Sequence, residues 1–331
     1  MVDLNNFTNS HKVSVAPMMD WTDRHCRYFH RLLSPNAYLY TEMVTTNALI
    51  YGDKDRFLRF DASEHPIALQ LGGNDPKDMT ICAEMAQDYN YDSVDINCGC
   101  PSDRVQSGAF GACLMNEPKT VAACVKEMGK AVDIPVTLKC RIGIDDSEDF
   151  DFLDRFVSIN AEAGCRIFII HARKAWLKGL SPKENREIPP LKYDIVQQIK
   201  DKYPELHISL NGGIKDVQAV SDHLKDFDGV MVGREAYQNP LFLHALEKLL
   251  YPDTSDIDIE AILTKMANYA DEQKKQYGTP LKSISRHMIG LFSGTRGAKH
   301  WRRQIAERAH ADDAKGQLLL DIYDEIKAKN R

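Results

Sequence analysis

The sequence predicts an α/β fold, a closed (β/α)8 barrel, followed by a small all-α helical bundle. The first observation is alternation, because eight short, β-branched apolar runs are each followed by a longer connecting stretch. The second is that these repeats fill about 245 residues, which suits a closed barrel better than an open doubly wound sheet. The third is that the chain continues to residue 331 without another strand-like run. This arrangement is a TIM barrel with a helical appendix.

The eight strands are each predicted from a run of apolar residues with a polar residue near its end. They are predicted at residues 13–17, 38–42, 67–71, 93–97, 136–139, 167–171, 207–211 and 230–233. Between them, apolar residues recur at helical spacing. These helices are predicted at residues 22–33, 76–89, 118–132, 148–163, 192–201, 216–224 and 240–250, and residues 45–59 are left unassigned.

The last part of the chain has a different character. Tyr251-Pro252-Asp253-Thr254-Ser255 is typical of a linker. Four amphipathic stretches after it predict helices at residues 261–276, 282–292, 298–309 and 317–329. We therefore expect two domains, a catalytic barrel over residues 1–250 and a helical domain over residues 251–331.

Composition excludes several classes of protein. The chain is 43% hydrophobic and 27% charged, with a net charge of −6, and has no apolar run long enough to span a bilayer. None of its eight cysteines forms a Cys-x-x-Cys pair, so a zinc or dithiol site is not indicated. With no secretory signal, we expect a cytoplasmic protein with reduced thiols, no metal and no membrane association.

Polar groups lie at almost every predicted strand end, and these ends form the active-site face of such barrels. They are Met18-Met19, Glu42, Gln70, Asn97, Lys139, His171, Asn211-Gly212-Gly213 and Gly233-Arg234. Single polar residues are common at strand ends because strand ends lie near solvent. A polar group at nearly every end favours a functional site.

Two of these ends predict a phosphate site. Asn211-Gly212-Gly213-Ile214 follows strand seven, and Gly233-Arg234 follows strand eight. Glycines let backbone N–H groups approach phosphate oxygens, and a following helix N-terminus favours negative charge. The ligand could be a sugar phosphate, a nicotinamide nucleotide or flavin mononucleotide; two tight turns without a ligand are the alternative.

Lys139 and Cys100 are the candidate reactive groups. Lys139 could form a Schiff base, act as a fixed cation beside an electron-rich ring, or merely pair with Glu42 or Asp95. Cys100 precedes Pro101 in a glycine-rich loop that could act as a lid, where a thiol can serve as acid or nucleophile. Cys98 directly follows its strand and is expected to be packed inside.

The motifs in order along the barrel resemble those of the flavin-dependent tRNA-dihydrouridine synthases. They are Ala16-Pro17-Met18-Met19-Asp20, Gln70-Leu71-Gly72, Asp95-Ile96-Asn97-Cys98-Gly99-Cys100-Pro101, Lys139-Cys140-Arg141-Ile142-Gly143, His171-Ala172-Arg173, Asn211-Gly212-Gly213-Ile214 and Val232-Gly233-Arg234. The run from Trp176 to Arg186 is similar to the DusA subfamily, which modifies uridines 20 and 20a of the tRNA D-loop.

The resemblance implies roles for the strand-end residues. FMN would be held by Pro17, Met18, Met19, Gln70, Lys139, His171, Asn211, Gly212, Gly213, Gly233 and Arg234. NADPH would reduce the flavin, hydride from flavin N5 would reach uracil C6, and Cys100 would protonate C5. Asn97, His171 and Arg173 are candidates for stabilising negative charge at O4. The helical tail would bind tRNA.

A basic segment supports an RNA partner. Residues 281–308 contain seven basic residues and one acidic residue, Glu307, in a chain of net negative charge. Lys299, Arg302 and Arg303 share one helical face, which is most often solvated but, beside such a barrel, favours phosphate contact. The loop after strand six adds Lys178, Lys183 and Arg186, with Trp176 for stacking.

Three other functions remain open. A flavin reductase of a small enone would share the flavin site without needing the basic tail. A lysine-dependent aldolase would use Lys139, and a non-catalytic RNA-binding protein would use the tail alone. We expect a monomer.

Overall fold

A computed structural model describes residues 4–102, 105, 108–147 and 149–330 of the chain. Nine strands, all paired in parallel, form one sheet. They are β1 (Val13–Val15), β2 (Leu39–Tyr40), β3 (Val44–Thr45), β4 (Ile67–Gly72), β5 (Ser93–Cys98), β6 (Val136–Arg141), β7 (Ile167–His171), β8 (His207–Asn211) and β9 (Gly229–Val232). The eight predicted strands all begin within one residue of these positions, and β3 was not predicted.

The sheet curls into a barrel. Its strand order is β1-β9-β8-β7-β6-β5-β4-β2, with β3 pairing β4 beside β2. A single parallel bridge between Ser14 and Tyr38 joins β1 to the residue before β2. Backbone hydrogen bonds from Val15 N to Tyr38 O and from Tyr38 N to Val13 O hold this last seam, both at 2.9 Å. The predicted (β/α)8 barrel is therefore confirmed.

Helices connect the strands, and their starts are fixed by side-chain caps. Asp75, for example, accepts hydrogen bonds from the N–H groups of Lys77 and Asp78, with Pro76 as the first helical residue. The barrel helices are Thr46–Tyr51, Lys54–Leu58, Pro76–Asp88, Pro118–Ala131, Phe150–Glu162, Tyr193–Lys202 and Val217–His223. The short helices within residues 45–59 occupy the stretch left unassigned. The first residue of the helix predicted at 148–163 lies outside the described residues.

An additional helix, Leu4–Ser10, precedes β1. Its Phe7 packs in the barrel core with Tyr38, Tyr40 and Ile169. Below these rings, His11 contacts Ser209 Oγ through Nδ1 (3.1 Å) and Tyr40 OH through Nε2 (2.8 Å). The amino end of the barrel is thus filled by aromatic and hydrogen-bonded polar side chains.

The described residues cluster into two compact units. The first comprises Met1–Asp20 and Ala37–Gly233, and the second comprises Trp21–Asn36 and Arg234–Arg331. This boundary differs from the one expected at residue 250. The second unit takes in two helices that the sequence pattern assigned to the barrel repeats, Arg24–Leu33 and Leu241–Leu250, together with the helix Arg234–Gln238, which was not predicted.

Within its described residues, the secondary-structure elements of the second unit are all helices joined by loops, as expected for the tail. Its remaining helices are Ile259–Tyr277, Leu281–Ser285, Ala298–Arg308 and Gln317–Asn330. The helix predicted at 282–292 is wrong in its length. It becomes a 3-10 turn at Arg286–Met288, and Gly290 follows where a Cβ would lie 2.4 Å from Gln238 O.

Asp23 ties the early segment of the second unit to the late one. Its Oδ1 accepts hydrogen bonds from the N–H groups of His25 and Cys26 at the start of helix Arg24–Leu33. Its Oδ2 accepts from Arg286 Nη2 at 2.8 Å and contacts His287 Nε2 at 3.0 Å. Burial acts to raise the pKa of Asp23, but the contacts with His287 outweigh it and hold that pKa well below its usual range.

Candidate active site at the carboxyl ends of the barrel strands

Parallel register brings the predicted strand-end residues into one row. Asn97 on β5 pairs with Lys139 on β6, and His171 on β7 pairs with Asn211 on β8. Gln70 on β4 lies opposite Asp95 on β5. Because all nine described strands run in the same direction, these side chains gather at one end of the barrel.

A chain of hydrogen bonds crosses β6, β5 and β4 at this end. Thr137 Oγ1 donates to Asp95 Oδ1 at 2.6 Å, and Gln70 Nε2 donates to Asp95 Oδ2 at 2.7 Å. Asn97 Nδ2 then donates to Gln70 Oε1 at 2.8 Å. The Gln70 amide thus presents its nitrogen to Asp95 and its oxygen to Asn97, and these bonds orient the amide of Asn97.

Asn97 passes this orientation on to the loop that carries Cys100. Its Oδ1 accepts hydrogen bonds from the backbone N–H of Gly99 at 3.1 Å and of Cys100 at 2.9 Å. Cys100 is partly exposed and its Sγ contacts Ser102 Oγ at 3.6 Å, whereas Cys98 is completely buried. Burial raises the pKa of the Cys98 thiol. Of these two thiols, only that of Cys100 is partly accessible to solvent.

Lys139 is a half-buried lysine in the same row. Its Nζ donates to Asn211 Oδ1 at 3.3 Å, and Asn211 Nδ2 donates to Met231 O at 2.8 Å. Burial lowers the pKa of Lys139, and the nearby carboxylate of Asp95 opposes that effect. Burial likewise raises the pKa of Asp95. Of the partners considered from sequence, Asp95 interacts with Lys139, while Glu42 accepts from the backbone N–H of Asp20.

The turn after β8 has the backbone that a phosphate cradle requires. Gly212 has φ +116° and Gly213 has φ +74°. A Cβ on Gly212 would lie 2.6 Å from Cδ2 of His171, and one on Gly213 would lie 2.4 Å from Leu191. Tyr193 OH donates to Gly212 O at 2.7 Å, which holds the turn. Both positions therefore require glycine.

The remaining residues predicted to hold a cofactor follow β1 and β9. Met18 packs against the core cluster of the barrel, while Met19 beyond it is 56% exposed. The position of a Cβ on Gly233 is open, with Ala16 Cβ the nearest atom at 3.8 Å. Arg234 begins the next helix and belongs to the second unit. Pro17 continues the chain from Ala16, whose N–H donates to Val232 O at 2.8 Å.

His171 is neutral in this environment. Burial lowers its pKa well below the usual value, and the charges of Arg141 and Lys139 lower it further. Its ring therefore offers one donor and one acceptor, not a second positive charge.

The loop after β7 is built around Asn185. Asn185 Nδ2 donates to Trp176 O at 2.9 Å, and Trp176 N donates to Asn185 Oδ1 at 2.7 Å. Lys174 Nζ lies 4.2 Å from the centre of the Trp176 ring. The predicted RNA-binding residues Lys183 and Arg186 are exposed on this loop. Arg173 is not directed only at the barrel mouth, because its guanidinium donates to the carbonyl oxygens of Glu187 and Pro189.

Some of the basic side chains in residues 281–308 of the second unit form ion pairs. Arg286 pairs with Asp23, and Arg308 pairs with Glu325 at 2.8 Å. Arg303 lies 4.0 Å from Glu307. Lys299 and Arg302 are exposed on helix Ala298–Arg308, and within the described part of the chain neither makes an ion pair.

Sequence reasoning considered Asp95 only as a partner of Lys139 and gave Arg141 no role, whereas the structure places both among the hydrogen bonds of the site. The signal for both was strand alternation, since Asp95 is two residues from Asn97 and Arg141 two from Lys139. Residues two apart on a strand share a face, so the partner of a functional side chain could be found there.

The described residues contain neither a metal-binding cluster of side chains nor a helix that could span a membrane. No cluster of three or more His, Cys, Asp or Glu side chains with metal-binding geometry occurs among them. None of the described helices combines the length and hydropathy needed to cross a bilayer.

The barrel resembles one solved structure in fold alone. A 2-naphthoyl-CoA reductase in complex with 2-naphthoyl-CoA superposes with a TM-score of 0.55 at 11% identity, over 72% of this chain and 49% of that one. The chain thus spans about half the length of that protein.

Sequence comparison is far more specific. The family model described as dihydrouridine synthase matches residues 14–327. A tRNA-dihydrouridine(20/20a) synthase of Vibrio cholerae is 52% identical over 324 residues, 97% of each chain. The proteins of that name from Shewanella oneidensis and Escherichia coli K12 are 53% and 54% identical, covering 95% and 94% of this chain and 93% and 90% of theirs. Together with the barrel and its row of polar strand ends, this similarity shows that the chain belongs to the dihydrouridine synthase family.

Proposed function

We propose that this enzyme reduces the C5=C6 bond of uridines 20 and 20a in the tRNA D-loop, giving 5,6-dihydrouridine, with bound FMN and with NADPH as reductant. The observation that carries the proposal is the 52–54% identity, over nearly the whole chain, with relatives named tRNA-dihydrouridine(20/20a) synthase. The geometry of the barrel mouth supports it, because it supplies groups suited to each step. We place the reaction in the cytoplasm.

The residues at the barrel mouth fit FMN. The turn of Gly212 and Gly213 has positive φ at two successive residues, and successive backbone N–H groups in such turns can form a concavity that binds anions. Among the described contacts, the Lys139 ammonium makes one hydrogen bond, to Asn211, which leaves donors for the electron-rich edge of a ring. Pro17, Met18, Met19, Gln70, His171, Gly233 and Arg234 complete the proposed site. When bound, FMN supplies the hydride chemistry, from NADPH and then to uracil C6.

Cys100 is proposed as the proton donor. As hydride adds at C6, negative charge spreads over C5 and O4 of the uracil. The Sγ–H bond of Cys100 breaks and the proton forms a bond to C5, after which the thiolate regains a proton from water. The hydrogen bonds from the Gly99 and Cys100 amides to Asn97 hold the thiol in place during this step.

Donors near O4 would stabilise the developing charge. The second N–H of the Asn97 amide is one such donor, because the other is committed to Gln70. Neutral His171 and Arg173 are the others. These roles require donors already oriented by the protein, which the hydrogen bonds of Asn97 provide.

Exposed cations would offset the cost of extracting the uridine from its stack, which is roughly a few kcal/mol. In the first unit they are Lys183 and Arg186 on the loop after β7. In the second unit they are Lys299, Arg302 and Arg303 on one helix. Their charges act on phosphates and would position the tRNA without reading its sequence.

The test is to map dihydrouridine in tRNA from cells that lack this protein, and to repeat the reaction with purified enzyme, NADPH and tRNA transcripts. We expect positions 20 and 20a to lose the modification in the cells and gain it in the tube. Transcripts with cytidine at both positions are the control. Dihydrouridine at other positions, or full modification in the deleted cells, would contradict the proposal.

A further inference from the structure

Arg141, the last residue of β6, joins two loops of the candidate site. Its Nε donates to Gly99 O at 2.8 Å, on the residue directly before Cys100. Its Nη1 donates to Lys174 O at 2.9 Å and to Asn185 O at 3.0 Å, both on the loop after β7. The side chain is 4% exposed.

The acceptors of these bonds carry no formal charge, because all three are backbone carbonyls. Burial lowers the pKa of Arg141 to about 10, so the group remains a cation at neutral pH. A buried cation is costly unless its donors are satisfied, so each loop carbonyl is held in place by a charge-assisted hydrogen bond.

The two loops carry different parts of the proposed reaction. Gly99 lies between Asn97, which holds the Gly99 and Cys100 amides, and Arg141, which holds the Gly99 carbonyl. Asn185 lies between Lys183 and Arg186 and fixes the backbone of Trp176. Because a guanidinium is planar and rigid, its bonds fix the distance between these two backbones.

We propose that Arg141 is a positioning residue that locks the Cys100 loop to the RNA-binding loop, so that the proton donor is placed only relative to a correctly docked nucleotide. This inference rests on the proposed function. The proposed role is carried by Nε and Nη1 of Arg141, whose described hydrogen bonds all go to backbone carbonyls of the two loops. A lysine at this position keeps the charge but cannot span both loops.

The experiment compares Arg141→Lys and Arg141→Ala with wild type. The matched control is Arg166→Lys, because Arg166 also donates to a backbone carbonyl, that of Ala161, but from the exposed start of β7. We expect both Arg141 variants to lower kcat for dihydrouridine formation about 10- to 100-fold, as a displacement of about 1 Å does. NADPH-driven flavin reduction should stay within twofold of wild type, and added guanidinium ion should restore part of the activity of Arg141→Ala.

Hydrogen exchange measured by mass spectrometry gives a readout that does not depend on activity. Peptides covering residues 99–102 and 174–186 should exchange faster together in the Arg141 variants, while β4 and β8 stay protected. The Arg166→Lys exchange should match wild type. If wild type forms no dihydrouridine, the proposed function fails, and the exchange result still decides whether the loops are coupled.

Three results would overturn the inference. One is wild-type kcat in Arg141→Lys, since a lysine cannot bridge the loops. Another is faster exchange across the whole barrel, which would mean that Arg141 supports only global stability. The third is faster exchange in one loop without the other, which would show that the loops are not linked through this side chain.

Discussion

Of the two single variants Cys98→Ala and Cys100→Ala, the first should lose more stability and the second should lose more activity. Cys98 is completely buried, so its truncation removes roughly one methylene equivalent of buried surface and leaves a small cavity. We expect Cys98→Ala to lose about 1–2 kcal/mol of unfolding free energy. Cys100 is partly exposed and, among the described residues, its thiol makes one hydrogen-bond contact, 3.6 Å to Ser102 Oγ, so Cys100→Ala should lose less than about 0.5 kcal/mol.

The same two variants should differ by orders of magnitude in the step that needs a proton. Loss of a general acid typically costs about 10²–10⁴-fold, so Cys100→Ala should form dihydrouridine that much more slowly. Cys98→Ala should remain within a few-fold of wild type. Because the acid acts after flavin reduction, both variants should bleach the flavin at the normal rate when NADPH is added.

The assay follows the two half-reactions separately by stopped-flow absorbance, first with NADPH and then with tRNA added to the reduced enzyme. Urea unfolding supplies the stability values. Normal turnover of tRNA by Cys100→Ala would refute its role as proton donor. A collapse of turnover in Cys98→Ala alone would mean that the loop geometry has been misread.

Three further predictions follow from glycine, charge and histidine. Gly212→Ala should lose flavin, because its Cβ would lie 2.6 Å from His171; Gly164→Ala has nearly the same φ but open space, so it should keep flavin. Replacing Lys299, Arg302 and Arg303 together by alanine should raise the KM for tRNA and flatten its salt dependence. The control replaces the exposed lysines Lys77, Lys119 and Lys126 together by alanine. The same salt dependence in both triple variants would rule out phosphate contact by Lys299, Arg302 and Arg303. Burial strongly lowers the pKa of five histidines in the folded state, so unfolding takes up protons below pH 6.5 and the unfolding free energy should fall from there towards pH 4; pH-independent stability would contradict this. These residues are His11, His25, His30, His171 and His207.

The barrel was predictable because each strand corresponds to a short, continuous run of mainly apolar residues in the sequence. Runs such as Ile167–His171 combine β-branched residues with a polar last residue, and the run alone marks the start of the strand. The strand ends of Gln70, Asn97, Lys139 and Asn211 were predictable for the same reason. These four side chains lie close together because parallel strands place their carboxyl ends at the same end of the barrel.

What could not be predicted depends on contacts between distant residues. The bonds of Arg141 to Lys174 and Asn185 span 33 and 44 residues and leave no local pattern. The break after Ser285 is another case, because apolar spacing continues through residue 292 while the close approach of Gly290 to Gln238 prevents a straight helix. The helical period records burial on one face but not the space available to the backbone.

The interrupted makeup of the second unit has a consequence for how the chain is made. Trp21–Asn36 leaves the ribosome some 200 residues before Arg234–Arg331, the remainder of its unit. Until then Asp23 lacks Arg286 and His287, Tyr28 lacks the ring of Tyr269 that stacks on it at 4.0 Å, and Ser34 lacks Glu247. In a fragment that ends at residue 250, helix Arg24–Leu33 would therefore lack its partners from the later part of the second unit. For the same reason, residues 251–331 alone could not be moved to another barrel as an independent domain.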